Sequence, residues 1–203
     1  MRIFVAGGSG VIGRRLVPLL VDAGHDVVAM TRTPAKQALL AGFGAEPVVI
    51  DVYDAPGVLA ALAAARPDAV IHQLTDLPDD VTALGAATRD ANARVREVGT
   101  DNLLAAAAEL GIGHLLVQSI AWLVDGVRAP SVVHLERATR AARGVVLRYG
   151  QWYGAADTYH PDTPPPGPRV DIDVAAQLTI DALDLMPGTY ELTDDGIAPV
   201  DDA

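Results

Sequence analysis

Gly7, Gly10 and Gly13 carry the most specific chemistry in this 203-residue chain. They belong to the run Gly7-Gly8-Ser9-Gly10-Val11-Ile12-Gly13, which follows apolar residues 3–6 and opens an amphipathic segment over residues 11–23. Strand, glycine turn and helix in that order put backbone N–H groups and the positive end of a helix dipole where a pyrophosphate can lie. Gly7 allows the tight turn, Gly10 lets the backbone approach phosphate, and Gly13 lets the helix close on the sheet. Ser9, Val11 and Ile12 complete the contact surface. The expected ligand is a dinucleotide.

The second strand selects between dinucleotides. A free ribose 2′-OH calls for a carboxylate at that strand's end, and a 2′-phosphate calls for a cation. Here the strand ends Met30-Thr31-Arg32-Thr33, without a carboxylate. Arg32 offers a planar fork of donors, with Lys36 and the Thr31 hydroxyl as helpers, so NADP is expected over NAD. His72 lies in an apolar strand and reads as a hydrogen-bonded core residue.

The elements that must position these residues alternate in type. Strands are expected at residues 2–6, 26–30, 47–50, 69–72, 114–119, 144–147 and 189–192. Helices are expected at 11–23, from 35, at 58–65, 89–110, 132–142 and 173–185. In the 89–110 segment, Val95, Val98, Leu103, Leu104 and Ala107 form the apolar stripe. Residues 77–85 read as a loop, with Pro78-Asp79-Asp80 breaking regular structure. Apolar, non-alternating strands separated by helices imply an α/β fold: a Rossmann-like doubly wound parallel sheet covered on both faces. Residues 153–169 carry five prolines and read as an extended loop, and the acidic tail 194–203 reads as loose. The expected organisation is a single domain over 1–203, with 151–203 a reduced C-terminal substrate-binding region.

Bulk properties exclude several functions. A net charge of -11 repels phosphate backbones and anionic membranes, so no nucleic-acid or membrane partner is expected. No cysteine is present, which removes disulfides, thiolate metal sites and cysteine nucleophiles. The five histidines lie far apart, so no metal site is expected. The start of the chain lacks a charged-apolar-small leader pattern, and the expectation is a cytoplasmic protein.

Beyond the glycine turn, several segments carry a family resemblance. Asn92-Ala93-Arg94-Val95-Arg96-Glu97-Val98-Gly99-Thr100-Asp101-Asn102-Leu103-Leu104, Val117-Gln118-Ser119-Ile120-Ala121, Leu147-Arg148-Tyr149-Gly150-Gln151-Trp152-Tyr153-Gly154 and Val170-Asp171-Ile172-Asp173-Val174-Ala175 stand in order. With the glycine turn they resemble the extended and atypical short-chain dehydrogenase/reductases, the epimerase/dehydratase type, over nearly the whole chain. The resemblance implies that Asp51 and Val52 hold the adenine, with Leu74 on the adenosine side. It implies that Ser119 orients a substrate oxygen and that Asn92 supports the active-site hydrogen bonds. Dimerisation through helices 89–110 and 132–142 is that family's habit.

One part of the family's chemistry is missing. Such enzymes use a Tyr-x-x-x-Lys pair, in which the lysine lowers the tyrosine pKa and holds the nicotinamide ribose. The only lysine here is Lys36, so the pair cannot exist. Aligning Glu136 with the glutamate after the family lysine puts Arg128 at the tyrosine position and Val132 at the lysine position. Tyr149, Tyr153, Tyr159 and His134 are the candidate substitute acids, and Arg148 or Arg128 the candidates to stabilise negative charge. Trp122, Trp152 and Tyr153 would line a cleft for a hydrophobic or aromatic small molecule. The expected function is an NADP-dependent oxidoreductase, reductase- or epimerase-like, with a nonstandard proton donor. The alternatives are an NADP-binding sensor or scaffold without redox turnover, and a non-redox cyclase, isomerase or dehydratase on the same fold.

Overall fold

Alternate residues of the first strand point to opposite faces and enter two different cores. The computed structural model describes residues 1–78, 81–123 and 126–201. In chain order the strands are β1 (Arg2–Ala6), β2 (Asp26–Thr31), β3 (Glu46–Val49), β4 (Ala69–His72), β5 (His114–Ile120), β6 (Val145–Tyr149), β7 (Gln151–Tyr153), β8 (Arg169–Asp171), β9 (Gly188–Thr193) and β10 (Gly196–Pro199). The helices are α1 (Gly13–Asp22), α2 (Gln37–Gly42), α3 (Ala55–Ala65), α4 (Ala86–Arg94), α5 (Thr100–Glu109), α6 (Pro130–Ala141) and α7 (Ile172–Asp181). Ile3 and Val5 pack with Leu16 and Leu20 of α1 and with Ala175 and Ala176 of α7. Phe4 and Ala6 pack with Leu62 of α3 and Leu103 and Ala107 of α5. Period-2 alternation on a strand buried on both sides explains why β1 reads as a continuous apolar run.

The main sheet runs β10-β9-β6-β5-β4-β1-β2-β3. All its neighbours are parallel except the β10–β9 pair. Strand order reverses between β1 and β4. At such a switch point two connections diverge and leave a crevice outside the carboxyl ends of the strands. The α/β doubly wound reading therefore holds, and the glycine turn lies at the crevice.

Four local expectations need correction. The segment 89–110 is not one regular helix: α4 ends at Arg94, a wide π turn spans Val95–Gly99, and α5 follows. The extra residue in that turn shifts the helical phase, so Val95 and Leu103 are buried while Val98 is 40% exposed. Helix α3 begins three residues earlier than expected, because Pro56 stands in its first turn and the Asp54 carboxylate accepts from Gly57 N–H at 3.2 Å.

The proline-rich stretch is anchored at both ends, since β7 pairs in parallel with β8. The acidic tail forms β10, whose register on β9 runs from Gly196↔Thr193 to Pro199↔Tyr190. Both strands were hidden by composition, because their pairing partners are distant or turn-rich. Asp79 and Asp80, and the last two tail residues, lie outside the described residues. Val170, Ile172 and Leu192 share a core with β1, so the segment after residue 150 is packed on the same sheet.

Candidate functional site

The glycine turn has no room for side chains. Gly7 has φ +95°, and a Cβ there would lie 2.7 Å from the Gln73 carbonyl oxygen. A Cβ on Gly13 would fall 2.6 Å from the Gly8 carbonyl carbon and closer still to Gly7 O. Gly10 N–H donates to Gly7 O at 3.0 Å, which closes the turn on itself. Ser9 Oγ and Thr31 Oγ1, 2.9 Å apart, tie it to the end of β2. The Thr31 oxygen also accepts from Thr33 N–H at 3.2 Å, so this hydroxyl is committed to the loop. Backbone groups are thereby left as the contact surface, the arrangement that suits a diphosphate.

This turn borders a groove of about 580 Å³. Gly7, Ser9, Gly10 and Val11 line one wall, Arg32 and Lys36 a second, and Asp51, Val52 and Leu74 a third. Ile12 faces an adjoining cavity instead, and Gly13 lies behind the turn against Gly7 and Gly8. Arg32, with its side chain 60% exposed, donates to Asp76 at 2.6 Å. Asp76 N–H donates to Asn92 Oδ1 at 3.0 Å. Asn92 is buried, so it fixes the loop after β4 that walls the groove.

His72 is buried at the end of β4, with Thr100 Oγ1 3.0 Å from Nε2 and Leu74 N–H donating to Nδ1 at 3.1 Å. Burial lowers its pKa to about 4, so it is neutral and structural, as its apolar strand suggested. Among the described residues no cluster of three or more histidine or acidic side chains could hold a metal ion.

A second cavity, of about 170 Å³, opens off the groove and shares Gly10, Val11, Gln73 and Thr75 with it. Trp122 and Trp152 line it, with Ser119, Tyr149 and Tyr159. Tyr153 departs from expectation: it lines neither cavity, and its hydroxyl donates to Asp194 at 3.0 Å. Tyr149 is buried, and its hydroxyl lies between Gln73 Nε2 at 2.9 Å and Thr179 Oγ1 at 2.7 Å. Burial pushes this phenol up to about 12 despite both hydrogen bonds, far from an acid poised for neutral pH. Tyr159 donates to Pro78 O at 2.6 Å, joining the 154–168 excursion to the loop after β4. His134 lies within 2.8 Å of Asp101 on the helical surface and lines neither cavity.

Beneath the second cavity lies a buried ionic cluster. Glu136 is 2% exposed and accepts from Ser119 Oγ at 2.6 Å and from Arg148 Nε and Nη2 at 2.9 and 2.6 Å. Arg128 reaches the same carboxylate at 3.4 Å and donates to Ile120 O at 2.8 Å. Burial pushes the Glu136 carboxyl up, but the Arg148 and Ser119 hydrogen bonds and the Arg148 and Arg128 charges outweigh it and hold the group below its ordinary value. The Ser119 proton and the Arg148 fork are thus directed at Glu136.

Among the lining residues that sequence reasoning missed are Gln73, Arg96, Gln118, Asp157 and His160. Gln73 follows β4 at the switch point, a position the topology marks. Arg96 stands on the π turn, which the helical periodicity concealed.

Residues 7–160 match the family described as NAD(P)H-binding, and the chain belongs to that family. A 3-diazoavenalumate denitrifying reductase from a Streptomyces species is 38% identical over 186 residues, covering 80% of this chain and 60% of that protein. A 2-alkyl-3-oxoalkanoate reductase from Stenotrophomonas maltophilia is 33% identical over 145 residues, covering 71% of this chain and 38% of that protein. The chain therefore spans less than two thirds of either relative. The UDP-glucose 4-epimerase of Thermus thermophilus, solved with NAD, superposes with a TM-score of 0.76 at 21% identity, covering 98% of this chain and 79% of that one. That likeness is one of fold. No helix among the described residues is long and apolar enough to cross a membrane.

Proposed function

We propose that this protein is an NADP-dependent reductase of a small organic carboxylate, with residues 1–150 binding the nucleotide and 151–203 completing a reduced substrate region. The observation that carries this reading is the junction of the two cavities at Gly10, Val11, Gln73 and Thr75. A nucleotide laid along the groove meets whatever occupies the second cavity there. The glycine cradle, which a Cβ would fill, fits the diphosphate. When bound, a reduced nicotinamide supplies a hydride.

The chain's own residues position and exclude. Gly7 and Gly10 close the turn, and Ser9 and Val11 present amides to the diphosphate. Arg32 and Lys36 meet a 2′-phosphate, while Asp51, Val52 and Leu74 hold the adenosine end. Asn92 keeps the wall in place through Asp76. Trp122 and Trp152 exclude water around the substrate. Ser119 accepts from a hydroxyl or N–H of the bound molecule, because its own proton is given to Glu136. Arg148, through Glu136, positions Ser119. Tyr149 belongs to the core, and the titratable side chains left lining the cavity include Tyr159 and His160.

Both reductase relatives are named for carboxylate substrates, one a diazo acid and one a 3-oxo acid, which supports the substrate class. The exposed Val98, Leu110 and Val133 support a homodimer through α4, α5 and α6, checked by light scattering.

The test is NADPH oxidation followed by absorbance with 3-oxo and diazo carboxylates, alongside calorimetry with NADP and NAD. Arg32→Glu should weaken NADP by roughly 1.5–3 kcal/mol and leave NAD unchanged. Unchanged NADP affinity removes the role of Arg32. A second reading, NADP binding without turnover, is favoured by the missing Tyr-x-x-x-Lys pair. Tight binding with no oxidation across the panel would establish it.

A further inference from the structure

Three buried polar atoms of side chains lining the second cavity have no hydrogen-bond partner among the described residues: Gln73 Oε1, Gln118 Oε1 and Trp152 Nε1. Buried polar groups are almost always paired, and an orphan carries its full desolvation cost. All three side chains line one cavity, so polar groups deprived of water cluster around it.

The same cavity holds a cation without a counter-ion. Arg96 projects from the π turn Val95–Gly99 and lines it. Among the described residues no hydrogen bond or ion pair holds its guanidinium. Burial lowers its pKa, and the charge of Glu136 is the influence pulling the other way. Glu136 is itself engaged by Arg148 and Ser119. Asp157, the acid lining this cavity, is held by Arg14 at 3.1 Å and Arg15 at 2.8 Å. A guanidinium stays charged at any physiological pH and takes planar anions with a fixed fork of donors.

We propose that Arg96 anchors the carboxylate of the substrate in this cavity, with Trp152 Nε1–H as a second donor. A carboxylate only accepts, which matches these two donor-only groups. The Gln73 and Gln118 oxygens take a hydroxyl or N–H elsewhere on the same molecule. Val11, Ile12, Ile120 and Trp122 seat its apolar or aromatic body. Arg96 is then the residue that makes the protein select acids over their neutral analogues. The inference rests on the reductase reading only in taking this cavity as the substrate site.

Trp122 and Trp152 are the only tryptophans, and both line this cavity, so intrinsic fluorescence reports on it directly. The probes are phenylacetate and its neutral analogue phenylacetamide, titrated into the full chain with and without NADP. Phenylacetate should quench saturably and bind at least about tenfold tighter than the amide. Arg96→Gln should abolish that preference with NADP affinity unchanged, and Arg96→Lys should retain part of it. Equal affinity for acid and amide, no saturable quenching by the acid, or a preference that survives in Arg96→Gln would each overturn the proposal. NADPH oxidation is read separately. Its absence counts against the reductase reading while the acid preference still decides on Arg96.

Discussion

Around the nucleotide groove, Gly7, Gly10 and Gly13 strip side chains away and leave peptide groups as the contact surface. The cavity beside it is walled by side chains from segments as distant as Val11 and His160, above the buried Glu136 cluster. The groove thus depends on local backbone shape and tolerates no added atoms. The cavity depends on long-range packing and charge balance, so its chemistry can change without disturbing the groove. A family that keeps one nucleotide-binding turn while varying its substrates needs this division.

Breaking the groove should have the largest effect. Gly13→Val puts atoms into the Gly7–Gly8 backbone, where no flexible side chain can yield. We expect loss of NADP binding by calorimetry and destabilisation of at least about 4 kcal/mol by urea unfolding. Retained NADP affinity would mean that the turn is not the diphosphate cradle.

Breaking the floor of the cavity should separate stability from cofactor binding. Glu136→Gln removes the buried charge that Arg148 and Arg128 share. The expected cost is about 3–5 kcal/mol in unfolding free energy. NADP affinity should stay within about twofold where the variant is folded, since distant sites act independently. A large loss of NADP affinity would show that the two regions are one unit.

His72 sharpens the comparison at the seam between them. Its folded-state pKa, lowered to about 4 by burial, lies below the unfolded value of about 6.5. The unfolded chain therefore takes up a proton first on acidification. Stability is full above pH ~6.5 and falls as pH drops through ~6.5 towards ~4, by at most about 3 kcal/mol from this group. His72→Gln should flatten that part of the pH–stability curve measured by urea midpoints. An identical slope in both proteins would remove His72 as its source.

The glycine wall of the groove and the strand ends around it were legible in the residues, while Tyr53, Asp76, Thr88 and Ala91 of its lining were not. Gly7 to Gly13, the Thr31-Arg32 strand end, and Asp51, Val52 and Leu74 all border it or its backbone. Their positions follow from a contiguous turn and from the ends of consecutive strands, which local patterns encode. The cavity was legible only in part. Trp122, Trp152 and Ser119 reach it, Tyr153 turns away to Asp194, and Tyr149 is locked by Gln73 and Thr179. Side-chain direction after β6 depends on how β7 pairs with β8, eighteen residues away in sequence.

By itself the sequence determined the doubly wound sheet, the nucleotide turn and the absence of a tyrosine–lysine pair. Those are matters of composition, period and spacing. Only the tertiary structure decided that Ser119 and Arg148 converge on Glu136, and that Arg96 faces a cavity without a counter-ion. Charges separated by tens of residues find or miss one another only once the sheet order brings their strands and helices together.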